Sequence, residues 1–154
     1  MTTTDEVQTN RATIERFLPA LVHDDVEAMR PLVRDDVVWW VPGSAAAKFG
    51  LARPLVGWDT IDWFGGNGWK AFVDGSSVLT VHHLVAEGDL VSAHYRRTAR
   101  RIGKDGIGKE GIGEDGADGG AYDAEYNILF RLVDGRIAEV WEVADTAAAF
   151  ASRG

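Results

Sequence analysis

Glu142, Tyr126, Tyr95, His83 and Arg97 are the residues whose types and spacing can do chemistry together. A carboxylate held among Val140, Ala144 and aromatic rings loses hydration, and its pKa rises toward the range useful to a general acid or base. Tyr126 and Tyr95 can donate hydrogen bonds to a developing enolate or carbonyl oxygen. His83 can take or give a proton near neutral pH. Arg97 opens an alternative: paired with Glu142 it keeps the carboxylate charged, and Glu142 then orients a substrate instead of moving a proton. Plainer readings stand beside these. They are an ion pair without chemistry, half-buried strand tyrosines, and a core histidine bonded to backbone.

Two hairpins decide whether these side chains meet. From Tyr122 to Leu132 the residues alternate, with Tyr122, Ala124, Tyr126, Ile128, Phe130 and Leu132 on one face. Period two over that length marks a strand with one buried face. The chain turns at Asp134-Gly135. A two-residue turn pairs Tyr126 with Val143 and puts Trp141 on the apolar face. A three-residue turn with a Gly135 bulge pairs Tyr126 with Glu142 and places Ala138, Val140, Glu142 and Ala144 inside. Asp-Gly suits both, and a one-residue slip exchanges the faces. The other hairpin turns at Glu87-Gly88-Asp89. A three-residue turn there gathers Leu79, Val81, His83, Val85, Val91, Ala93, Tyr95 and Arg97 on the more apolar face, which is assigned to the core.

The remaining histidines offer little. His82 and His94 can face each other on the outer side of their hairpin, but no third metal ligand is evident, so no metal is expected. As strand neighbours, His82 and His83 are expected to point to opposite faces and cannot share one ion. His23 reads as a helix C-cap. Six tryptophans are many for 154 residues. Trp39 and Trp63 or Trp69 are candidate pocket walls, which suits a flat, ring-bearing ligand; plain core packing is the other reading.

The whole chain bounds the answer further. Hydrophobic residues make up 45% and charged residues 26%, as in a globular domain. Net charge is -8, with no long Lys/Arg cluster, which argues against nucleic acid and anionic membrane as partners. Without cysteine there are no disulfides, thiol nucleophiles or thiolate zinc sites. No apolar run approaches the roughly 20 residues that span a bilayer. A soluble cytoplasmic protein is expected.

In chain order, residues 1–8 read as a loose polar leader, with Thr9 or Asn10 capping a helix that buries Ile14, Phe17, Leu18, Leu21 and Val22. Pro19 predicts a kink or break in it. Asp24 or Asp25 caps a second short helix. A strand covers Val37 to Val41, residues 44–54 form a loop, and a third helix follows Asp59 and buries Ile61 and Phe64, with a break near Gly65 to Gly68. Residues 102–120, an imperfect glycine- and charge-rich repeat, predict a mobile loop insertion.

The order helix, helix, strand, helix, long antiparallel strands, with DDVVWWVPG (residues 35–43), LVGWDTI (55–61), AEGDLV (86–91) and ILFRLVDGRIAEVWEVADT (128–146), resembles the SnoaL-like branch of the nuclear transport factor two-like superfamily. Ketosteroid isomerases and limonene epoxide hydrolase share that fold. The resemblance covers nearly the whole chain outside the glycine-rich insertion. It implies a single α+β domain over residues 1–154, a curved antiparallel sheet wrapped around N-terminal helices as a cone with an apolar pocket. It also implies a homodimer through the outer sheet face. Ile128, Val140 and Val41 would line the pocket. Val41 stands where isomerases carry an aspartate base. Glu142 matches the second acid of the epoxide hydrolase set, while Tyr95 and Arg97 fall on its other two positions and Val41 and Gly43 on the Tyr/Asn pair.

The expectation is therefore a cofactor-free acid–base enzyme for a small hydrophobic carbonyl or ring compound, of isomerase, cyclase or dehydratase type. Glu142 or His83 would be the base. The alternative is a non-catalytic module of the same fold that binds a hydrophobic ligand or a protein partner, and epoxide hydrolysis is a lesser enzymatic option.

Overall fold

A capping box starts the first helix. Thr3 Oγ1 accepts from the Glu6 amide at 3.1 Å, and Glu6 Oε2 accepts from the Thr3 amide at 2.6 Å. Two amides left over by helix geometry are thereby satisfied, each worth about 1 kcal/mol. Helix α1 then runs over Thr4–Val22 and ends on His23 as C-cap. It begins well inside the stretch expected to be a loose leader, and it continues through Pro19 without a break. The Pro19 ring lies on the exposed side, and Ile14, Phe17, Leu18, Leu21 and Val22 form the buried stripe. In this computed structural model the described residues are 3–63, 72–102 and 118–145.

Asp25 caps the short helix α2 (Val26–Met29), and a 3-10 turn (Arg30–Leu32) leads into strand β1 (Val33–Trp40). The expected loop after β1 contains a helix, α3 (Gly43–Phe49), whose alanines favour the helical state. Strand β2 (Leu55–Val56) and helix α4 (Asp59–Asp62) follow. The rest is sheet: β3 (Val78–Glu87), β4 (Leu90–Ile102), β5 (Asp118–Val133) and β6 (Arg136–Ala144). The strand order is β2-β1-β6-β5-β4-β3, antiparallel except for the parallel pair β1–β6. The class is α+β as expected, an open curved sheet with α1 against its inner face. Phe17 is the link: its ring packs edge-on against Phe130 at 5.7 Å and against Trp39 at 6.1 Å. Burying a side chain of that size contributes about 2–3 kcal/mol.

Both long hairpins share one device. Each has a two-residue turn, and each then changes register at a bulge. Asp134 (φ 52°) and Gly135 (φ 74°) both adopt positive φ, as the twist-matched primed turn requires, and Val133 pairs with Arg136. The register shifts beyond Leu132–Ile137, so Arg131 faces Glu139, Phe130 faces Val140 and Ile128 faces Glu142. The two-residue register holds only as far as Leu132–Ile137; beyond the bulge Tyr126 pairs with Ala144, with neither Val143 nor Glu142. The bulge nevertheless restores the parity of the longer turn, and Ala138, Val140 and Glu142 face inward.

The β3–β4 hairpin turns at Gly88-Asp89, with Glu87 paired to Leu90, Ala86 to Val91 and Leu84 to Ala93. A bulge then sets His82 and His83 against the single residue His94, after which Val81 pairs with Tyr95 and Leu79 with Arg97. The expected register therefore holds beyond the bulge and fails between the bulge and the turn. Leu84 and Ala86 pack on the core, whereas His83 and Val85 are exposed. Among the described residues no helix is long and apolar enough to cross a membrane. Of the glycine-rich insertion expected over 102–120, Ile102 ends β4 and 118–120 open β5; residues 103–117, the segment with Phe64 and Trp69, and the residues after Asp145 lie outside the described residues.

Candidate active site

The inner face of β4, β5 and β6 meets the end of α1 at a small cavity. Leu21, Val22 and Asp24 line it from the helix side, and Trp39, Tyr95, Arg97, Tyr126 and Glu142 line it from the sheet. Its volume is about 50 Å3, against roughly 300–1,000 Å3 for ordinary ligand pockets. Strand pairing sets the groups side by side. Tyr95 stands directly across from Tyr126, with the rings stacked at 4.9 Å and 9°. Ile128, fully buried, stands across from Glu142, and Val140, also fully buried, precedes it on the same face.

Glu142 keeps some exposed area because it lines the cavity, yet it lies deep within the protein, and depth governs its hydration. Burial pushes its carboxyl up to about 7. The indole N–H of Trp39, 2.9 Å from Oε1, pulls weakly in the other direction. The group thus sits near neutrality, able to hold or release a proton at physiological pH.

The expected Glu142–Arg97 ion pair does not form. Arg97 is buried and its guanidinium is committed elsewhere. Nη2 donates to the Val22 carbonyl and to Ser77 Oγ, each at 2.9 Å, and the plane lies over Phe72 at 4.2 Å. Arg97 ties β4 to the end of α1 and so braces the cavity wall. Its charge still reaches the phenols. Burial raises Tyr95 and Tyr126 well above the usual tyrosine range, the Glu142 carboxylate raises Tyr95 further, and Arg97 opposes both shifts. Burial likewise raises Tyr122, whose hydroxyl is hydrogen-bonded to that of Tyr126. All three phenols therefore remain neutral donors at pH 7. Tyr122 and Tyr126 hold each other, whereas the Tyr95 hydroxyl has no hydrogen-bond partner among the described residues.

His83 is not part of this site. The β3 bulge turns it to the outer face, where its Nδ1 lies 3.2 Å from His94 Nδ1. Trp63 is also elsewhere, against Phe49 at 5.8 Å. Val41 is buried, and its carbonyl accepts from Arg53 Nε at 3.0 Å. Trp69 lies outside the described residues. Trp39 lines the cavity as expected, but its bond to the site and two further participants were not expected. Ser77 anchors Arg97, the Trp39 indole bonds Glu142, and Tyr122 is the partner of Tyr126. A buried indole N–H and a tyrosine four residues away on one strand face were usable signals for the last two.

A family model of the SnoaL-like domain matches residues 14–140. The chain belongs to the SnoaL-like domain family. Solved structures agree with this fold for the SnoaL-like chain. A candidate SnoaL-like polyketide cyclase from Jannaschia sp. CCS1 superposes with a TM-score of 0.73 at 17% identity, covering 99% of this chain and 96% of that one. IdmH, a candidate polyketide cyclase from Streptomyces antibioticus, superposes at 0.66 and 26% identity, over 94% and 98% of the two chains. A candidate ketosteroid isomerase from Kribbella flavida DSM 17836 superposes at 0.62 and 16% identity, over 90% and 79%. A comparison with curated proteins returns no match.

Proposed function

We propose that this SnoaL-like protein is a cofactor-free acid–base enzyme that moves a proton next to the carbonyl of a small hydrophobic ring compound, as an isomerase, cyclase or dehydratase does. The observation that carries the reading is Glu142, a deep carboxyl with a pKa of about 7 beside neutral phenols. Ionised, it abstracts the proton. Tyr95, whose hydroxyl is open to the cavity, donates to the oxygen on which charge develops. Trp39 holds the carboxylate in place through Oε1 and leaves Oε2 for the substrate. The candidate polyketide cyclases and ketosteroid isomerase among the structural neighbours support this reaction class.

A cavity of about 50 Å3 accepts a reacting group and not a whole ring compound, so binding must widen it. That volume favours a second reading, a non-catalytic binding module of the same fold. A homodimer through the outer face of β5 and β6 accompanies either reading, supported by exposed Val143 beside the half-buried Leu129 and Trp141.

The deciding experiment follows hydrogen–deuterium exchange at the α-carbon of cyclic and polycyclic aromatic ketones. Wild-type protein is expected to accelerate exchange, and Glu142→Gln to reduce the acceleration by about 10²–10⁴ while keeping the fold. Exchange that survives Glu142→Gln undiminished would remove the assignment. Absence of exchange with any ketone that raises the melting temperature would favour the binding module.

A further inference from the structure

Three of the four histidines converge with a carboxylate on the outer face of the sheet. His82 Nε2 lies 3.3 Å from Glu125 Oε1, and His94 Nε2 lies 3.0 Å from Glu125 Oε2. The ligand atoms of His82, His94 and Glu125 all lie within 4.8 Å of one another. The β3 bulge creates this arrangement. A regular strand would send His82 and His83 to opposite faces, but two residues set against His94 leave both on the outer side. The sequence-based expectations that no third ligand exists and that the two neighbours diverge are both overturned. Glu125 stands where a third ligand would, on the next strand, one residue along from Tyr126 and on the opposite face.

We propose that His82, His94 and Glu125 form a divalent transition-metal site, fitted to Zn2+, separate from the Glu142 cavity. Zinc binds imidazole nitrogen and carboxylate oxygen at about 2.0–2.2 Å, which puts tetrahedral neighbours about 3.3–3.5 Å apart. His82 Nε2 and His94 Nε2 lie 3.3 and 3.0 Å from different oxygens of Glu125, close to that spacing, and the ligand atoms all lie within 4.8 Å, so an ion between the three groups asks the carboxylate to turn and the widest edge to close. His83 supplies the supporting contact. Its Nδ1 faces His94 Nδ1 at 3.2 Å, with the two ring planes only 10° apart. If His94 Nδ1–H donates there, its Nε2 lone pair is left toward Glu125 and the metal, the arrangement by which outer partners fix ligand tautomers.

The surrounding charges permit it. Arg96, the cross-strand neighbour of Glu125, is held through Nε and Nη2 by both oxygens of Asp123, at 2.7 and 2.5 Å. The fourth coordination position faces an open groove of about 570 Å3 that His83, His94, Glu125 and Val143 help to line. Water or a small donor ligand can therefore complete the shell.

The test uses tag-free, chelator-stripped protein. Co2+ is titrated by visible absorption as a spectroscopic stand-in, and Zn2+ by calorimetry. One equivalent per chain, with the intense visible bands of a four-coordinate Co2+ site, is expected. His94→Ala and Glu125→Gln should each weaken binding at least about 100-fold, more than loss of an outer partner does. His83→Ala should weaken it by about 10–100-fold. His23→Ala, remote from the cluster, should change nothing. All of these side chains are partly or fully exposed, and circular dichroism confirms that each variant is folded. Failure of wild-type protein to bind one equivalent, or full-strength binding by His94→Ala or Glu125→Gln, would overturn the proposal. Because Glu142→Gln leaves this cluster intact, metal binding and proton exchange fail independently.

Discussion

Trp39 Nε1 donates to Glu142 Oε1 across 2.9 Å, joining the first long strand to the last. The bond favours the ionised carboxyl and partly offsets its burial. Trp39→Phe should therefore move the Glu142 titration upward from about 7. A carboxyl-carbon NMR titration of wild-type and variant protein checks the shift. An unchanged midpoint would show that the indole has no hold on the proton.

Stability should depend on pH in an unusual direction. A free glutamate ionises near 4.5, and Glu142 only near 7. Between those values the folded protein keeps a proton that the unfolded chain has released, so unfolding free energy falls as pH rises through that window and levels above it. The loss is at most about 3 kcal/mol. Asp36 and Asp123, whose pKa values are lowered by Arg34 and Arg96, act below the window. Denaturant titrations from pH 4.5 to 8 should show the decline in wild type and a flatter profile in Glu142→Gln.

The tyrosines should separate by role. Tyr95→Phe removes a hydroxyl with no hydrogen-bond partner among the described residues and should leave stability within about 0.5 kcal/mol. If that hydroxyl holds the oxyanion, ketone exchange falls by about 10²–10³. Tyr126→Phe instead strips the Tyr122 hydroxyl of its partner and should cost about 1–3 kcal/mol. Melting and exchange measured on both variants distinguish the two. A stability loss confined to Tyr95→Phe would reverse the assignment.

Gly135→Ala should destabilise by about 1–3 kcal/mol. The position has φ +74°, and a Cβ there would meet Thr9 Cγ2 at 3.3 Å. Asp134→Asn, in contrast, keeps a residue that tolerates φ 52° in a primed turn and should be neutral or slightly stabilising. Thermal melts of the pair test the turn geometry directly.

Legibility in the sequence followed the same two hairpins. Alternation gave the inward residues of β5 and β4 correctly, from Tyr122 to Leu132 and from Val91 to Arg97, because a half-buried strand must alternate. The turn positions were readable from their glycines. The bulges were not, since an extra residue leaves no composition mark while exchanging every side chain on one side of it. Of the two registers that Asp-Gly leaves open, the one that turns Glu142 inward pairs it with Tyr126, whereas its partner is Ile128, and alternation sends His83 inward when it faces out. The start of α1 was legible in principle: Thr3 and Glu6 have capping-box spacing, but the first turn has no apolar stripe to draw attention to it.

The parallel β1–β6 pair has a bearing on how the chain is made. Apart from two-residue β2, β1 has β6 as its neighbour in the sheet, and the Trp39–Glu142 bond spans 103 residues. While the ribosome is still building β5, Val37, Trp39 and Val41 have been synthesised and Trp39 has Phe17 to meet, but their neighbour in the sheet, β6, is missing. A nascent chain halted before Val140 therefore lacks Glu142 and most of the strand that seats β1. Assembly of the sheet and completion of the Glu142 cavity wait on the same late strand, β6.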